Sequence, residues 1–144
     1  MKMLKSVLVT AAVLVAAGGC GSDEPQPPRV KARASFEANA QSERVFESYR
    51  QIGDYSGDVT LPEGSREVAV TLDCAGADGH LDVTFSTAGG AGVDCSATTS
   101  GRPGLVALAG DGSPLDRHQT MRITGPKNQQ WSVAVDAGAN VTSD

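Results

Sequence analysis

From Tyr55 to Ala97 apolar and polar residues alternate with a period of two, and this constrains the fold more than any other feature of the chain. Tyr55, Gly57, Val59 and Leu61 alternate with Asp54, Ser56, Asp58 and Thr60. Past Pro62-Glu63-Gly64-Ser65, the row Val68, Val70, Leu72, Cys74 alternates with Glu67, Ala69, Thr71 and Asp73. Past Ala75-Gly76-Ala77-Asp78-Gly79, Leu81, Val83 and Phe85 alternate with His80, Asp82, Thr84 and Ser86; past Ala88-Gly89-Gly90 come Val93, Cys95 and Ala97. Successive side chains of a strand point to opposite faces, so this pattern predicts strands with one buried and one wet face, paired antiparallel.

The later part is less regular. Leu105-Val106-Ala107-Leu108 is a short apolar run that predicts a strand buried on both faces. Asp111-Gly112-Ser113-Pro114 is a turn. Met121 and Ile123 mark another strand, and Trp131, Val133 and Val135 the last, with Gln130, Ser132, Ala134 and Asp136 outside and Trp131 in the core. About seven strands joined by turns every dozen residues or so predict an all-β fold, an antiparallel β-sandwich of jelly-roll or Ig-like type. A partly open β-barrel uses the same pattern and stays as the alternative. In 36–52, Val45, Tyr49 and Ile52 sit at helical spacing while Phe46 breaks it. The expectation there is an extended or mixed segment that docks on the sandwich, because Phe36, Phe46 and Tyr49 are costly to leave in water.

Upstream lies a different kind of sequence. Met1-Lys2-Met3-Leu4-Lys5 is basic, Val7 to Ala17 is apolar, and Ala17-Gly18-Gly19 places small residues before Cys20. That is the layout of a secretory signal, and its apolar run falls short of the roughly 20 residues of a membrane-spanning helix. Ala17-Gly18-Gly19-Cys20 resembles the lipobox of bacterial lipoproteins, departing from the usual pattern with Ala17 in place of Leu and Gly18 at the second position. The residue usage is similar to that of small lipoproteins from high-GC Gram-positive bacteria. The resemblance implies a diacylglycerol thioether on Cys20, cleavage before it, and an address on the outer face of the cell membrane. Two buried acyl chains give durable anchoring where one does not. Gly21-Ser22-Asp23-Glu24-Pro25-Gln26-Pro27-Pro28 then reads as a semi-stiff stalk, and a dozen such residues at about 3.1 Å each span roughly 40 Å. The expected organisation is a signal peptide over 1–19, lipidated Cys20 and stalk over 20–35, the docking segment 36–52, the sandwich 53–138 and a tail 139–144.

With Cys20 lipidated and the compartment oxidising, the remaining cysteines leave one pairing, Cys74–Cys95. Closing a loop of about twenty residues contributes roughly 3 kcal/mol on the chain-entropy account.

Net charge is −5; losing Lys2 and Lys5 with the leader takes the 12 basic residues to ten against 17 acids, a net of −7. An acidic domain repels phosphate backbones, so nucleic-acid binding is disfavoured. No catalytic constellation emerges. His80 and His118 alternate with inward residues and are expected at the surface, and no spacing supplies the three or four ligands of a zinc site. Asp73, Asp78 and Asp82 bracket a glycine turn as carboxylates for calcium would, yet without the EF-hand spacing, and Asp-Gly is ordinary turn chemistry. Ser56 and Ser113 lie outside any nucleophile elbow. Gly89-Gly90-Ala91-Gly92 lacks the helix and lysine of a phosphate loop and reads as a hairpin turn. Asn140-Val141-Thr142 is a chance sequon. Tyr49 and Tyr55 are the aromatic candidates for an exposed ligand contact.

The sequence therefore implies a membrane-anchored, non-catalytic binding module of the cell envelope, needing no cofactor or metal and facing an envelope protein or ligand. A structural or accessory envelope protein is the alternative, and a small hydrolase a more distant one. Fold alone does not choose among them.

Overall fold

A computed structural model describes residues 30–38, 40–98 and 104–141. Cys20 and the lipobox, the stalk up to Arg29 and Thr142 of the sequon lie outside the described residues. Among the described residues eight strands occur in the order β1 (Glu43–Ile52), β2 (Tyr55–Thr60), β3 (Glu67–Ala75), β4 (Gly79–Phe85), β5 (Gly89–Cys95), β6 (Gly104–Ala109), β7 (His118–Thr124) and β8 (Gln130–Gly138). They form two open four-stranded antiparallel sheets, β1-β8-β3-β6 and β2-β7-β4-β5, so the fold is a sandwich and not a closed barrel.

The alternating rows become the core. Val68, Val70, Leu72, Val133 and Val135 from the first sheet meet Leu81, Val83, Met121 and Ile123 from the second, all fully buried. Burying each such side chain contributes about 1.5–3 kcal/mol. Trp131 closes one end of this core, and its Nε1 donates to the Gly53 carbonyl at 2.7 Å, so the indole is buried without an orphaned donor. Cys74 on β3 and Cys95 on β5 are disulfide-bonded and join the two sheets, with 5.5 Å between their Cα atoms.

Three features depart from the alternation. The segment 36–52, left open by its sequence, yields the eighth strand. β1 is extended but carries two register irregularities, between Arg44 and Phe46 and between Ser48 and Gln51, with Arg50 at φ 55°. Each inserted residue shifts the faces, so Val45 and Phe46, neighbours in sequence, both pack against the core.

The run Leu105–Leu108 is not buried on both faces. β6 is an edge strand with alternating burial, and Leu105 is 65% exposed. The third departure is the hairpin between β4 and β5, which turns at Ser86-Thr87-Ala88. Gly89 to Gly92 already belong to β5, where Gly90 and Gly92 face outward.

The outward row of β8 is buried as well: Ser132, Ala134 and Asp136 are shielded from solvent, as are Asp73 and Ala69 on β3. The cause is residues 30–37, which run along the outer face of this sheet in the same direction as β8. Ala32 N–H donates to Gln130 Oε1 at 2.9 Å and Arg33 N–H to Asp73 Oδ2 at 2.8 Å. Ser132 Oγ donates to the Arg33 carbonyl at 2.6 Å, and Arg50 Nε to the Ala32 carbonyl at 3.0 Å. Further along, Phe36 packs on Tyr49, and Arg44 Nη2 donates to the Glu37 carbonyl. One sheet thus has its outer face covered over β8 and the neighbouring part of β3, with the β6 edge left exposed, while nothing among the described residues covers the outer face of the other.

Candidate functional site

The outer face of β2-β7-β4-β5 is bare and polar. Ser56, Asp58 and Thr60 project from β2, His118, Thr120, Arg122 and Thr124 from β7, and His80, Asp82 and Thr84 from β4; all are exposed. Register aligns them in rows. Ser56 stands opposite Arg122, Arg122 opposite Thr84, and Thr84 opposite Gly90. The missing side chain at Gly90 leaves the edge of this row low.

A shallow open cavity of about 330 Å³ lies in this face, lined by Thr84, Phe85, Ser86, Thr120 and Arg122. Two of its hydroxyls are already engaged. Thr120 Oγ1 donates to Asp58 Oδ1 at 3.0 Å, and Ser86 Oγ accepts from Thr120 N–H at 3.1 Å. No carboxylate among the described residues lies within ion-pair distance of the Arg122 guanidinium. The cavity therefore offers a fork of N–H donors flanked by hydroxyls, with a carboxylate acceptor beside it: chemistry for holding a polar group by hydrogen bonds. It holds no nucleophile–base pair.

Gln119 makes this corner rigid. It lies on the inward row of β7, is buried, and reaches the β4–β5 turn. Its Oε1 accepts from the backbone N–H of Thr87 at 3.0 Å and of Ala88 at 3.3 Å, while Nε2 donates to Thr87 Oγ1 and to the Asp116 carbonyl, each at 2.7 Å. One side chain thus fixes two loops at the end of the sandwich far from Val30. A fixed surface loses little conformational entropy when a partner binds.

At the other end of the same face, His80 lies across Gly92. Its Nδ1 is 2.7 Å from Asp94 Oδ1 and its Nε2 is 3.4 Å from Asp82 Oδ1. A Cβ at Gly92 would collide with Nε2, so the absence of a side chain gives the ring its place. The hydrogen bond to Asp94 raises the His80 pKa above its usual 6.5, with the nearby Asp82 charge adding to it.

The remaining sequence candidates are dispersed. Asp73 is buried under Arg33, Asp78 accepts from Ala97 N–H at 2.9 Å, and Asp82 faces His80 on the opposite sheet, so the three do not share a site. No group of three His, Cys, Asp or Glu among the described residues is arranged to hold a metal. Tyr49 is half-buried, with Phe36 against its ring and its hydroxyl donating to Glu47 Oε2 at 3.0 Å. Tyr55 is half-buried between Phe46 and Trp131. His118 is exposed on the bare face.

Arg122, Thr84 and Gln119 did not stand out in the sequence. Alternation around Met121 and Ile123 places Arg122 outward, but which residues flank it depends on pairing between strands far apart in the chain. Comparison with protein-family models, with curated proteins and with solved structures returned no match.

Proposed function

We propose that this chain is a membrane-anchored extracytoplasmic lipoprotein whose sandwich is a non-catalytic binding module, engaging a partner in the cell envelope through the bare outer face of β2-β7-β4-β5. The observation that carries this reading is the asymmetry of the two faces. The segment that leads back toward Cys20 is laid over one sheet, so the tether side is occupied. The opposite face, with the Arg122 cavity and its Gln119-braced corner, is open to solvent. A tether adds to this by raising the local concentration of the module at the surface.

The test has two arms. The intact mass of the chain extracted from bacterial membranes is expected to begin at Cys20 with diacylglycerol added, and to gain two hydrogens on reduction. A photo-crosslinking residue at Thr84 or Arg122 is expected to give the same adduct, and one at Ser35, exposed on the segment that covers part of the other sheet, none. A mass without lipid removes the anchor from the proposal; adducts equally frequent at Ser35 and Thr84 remove the binding face.

A further inference from the structure

A sandwich of two open sheets has four edge strands, and an exposed edge is a row of unpaired N–H and C=O groups that natural proteins guard with charge, bulges or short length. Three of the edges here are guarded. β1 has two register irregularities and carries Glu43, Arg44, Glu47 and Arg50; β2 is short with Asp58 at its centre; β5 carries three glycines and Asp94 beside His80. β6 is as short as β2 but has neither charge nor bulge. Its sequence, Gly-Leu-Val-Ala-Leu-Ala, is without charge or proline, and its register with β3 is unbroken from Glu67↔Ala109 to Leu72↔Gly104. Among the described residues nothing pairs with its other side. It also carries Leu105, one of two large apolar residues exposed in the described chain.

We propose that β6 pairs antiparallel with β6 of a second copy, joining the two β1-β8-β3-β6 sheets into one eight-stranded sheet across a two-fold axis. The strand's own sequence selects this occupant. Side chains directly opposite in an antiparallel pair share a face, so a symmetric register must join residues of equal parity. The register centred on Ala107 sets Ala107 against its own copy, Leu105 against Ala109 and Val106 against Leu108. Each outward leucine then covers an alanine, and the half-buried Val106 and Leu108 continue the core side. No charge opposes a like charge anywhere in this pairing. Five residue pairs bury less surface than the roughly 1,200–2,000 Å² of a standard stable interface, so the dimer is weak in solution and fills when copies share a surface. The outer face of β2-β7-β4-β5 stays bare on both copies, which makes the pair bivalent. The pairing itself does not depend on the lipid.

The experiment is disulfide trapping and sedimentation of the full chain. Ala107→Cys brings two thiols together across the two-fold at the spacing of directly opposed residues, about 4.5–5.5 Å between Cα atoms. The expected result is a reducible dimer that forms on mild oxidation, both in membranes and in concentrated detergent solution. Ala107→Lys places like charges opposite one another and is expected to weaken association by up to about fivefold. Leu105→Lys in the Ala107→Cys background is expected to lower the trapped yield; Leu105 is exposed, so the fold tolerates that change. A chain that stays monomeric at every concentration and gives no Ala107→Cys dimer overturns the proposal. So does a trapped dimer whose yield Leu105→Lys leaves unchanged.

Discussion

Gln119 holds Thr87 twice, accepting from its backbone N–H at 3.0 Å and donating to its hydroxyl at 2.7 Å. A residue on the inner face of β7 thereby sets the shape of a turn 32 residues earlier in the chain. Gln119→Leu keeps the bulk but leaves the N–H groups of Thr87 and Ala88 to water. It is expected to lower unfolding free energy by about 1–3 kcal/mol and to speed hydrogen exchange at 86–88 ahead of the core strands. Urea titration with exchange measured residue by residue checks both; unchanged protection at the turn would show that Gln119 does not order it.

Gln129 presents the opposite case. It is 1% exposed, and neither its Nε2 nor its Oε1 has a hydrogen-bond partner. A buried amide without partners is costly. Gln129→Met, close in volume, is expected to raise stability by about 1 kcal/mol, or about 4–8 °C in Tm for a domain of this size. Calorimetry decides it. A fall in Tm would mean the amide is held by a buried water.

The Cys74–Cys95 bridge joins the two sheets over a sequence separation of 21. Reduction is expected to remove about 3 kcal/mol. Denaturation midpoints with and without reductant measure the difference; a change well below about 1 kcal/mol would mean that strand packing alone sets the loop.

His80 supplies a pH dependence of known sign. Asp94, through its hydrogen bond, and Asp82 raise its pKa above 6.5 in the folded chain. The stabilising charge is fully present below the unfolded value of 6.5 and is lost as pH rises through the raised folded value. The group is exposed, so the effect on global stability is small. Ring-proton NMR is expected to show the His80 midpoint falling toward 6.5 in Asp94→Asn. No movement would mean that the Asp94 contact is not formed in solution.

The core rows were legible because period-two alternation is a local property: Val68 to Cys74 and Leu81 to Phe85 fall where their sequence puts them. β1 was not, because two irregularities interrupt its period and leave Val45, Tyr49 and Ile52 at a misleading spacing. The apolar run in β6 suggested burial on both faces, whereas its outward residues Leu105, Ala107 and Ala109 are exposed. Hydrophobicity reports what a strand prefers; its place in the sheet decides what it receives. The same holds for the site. Outward residues are readable one strand at a time, but Ser56, Arg122 and Thr84 form a row only through pairing between β2, β7 and β4, set by the whole fold.

The clasp over β8 has a mechanical consequence. Ala32 and Arg33 are held by four hydrogen bonds to Gln130, Asp73, Arg50 and Ser132. A force applied at Val30 along the segment's own direction would load these four bonds in shear, so that they share it, where a force directed away from the sheet would peel the segment and release them in turn.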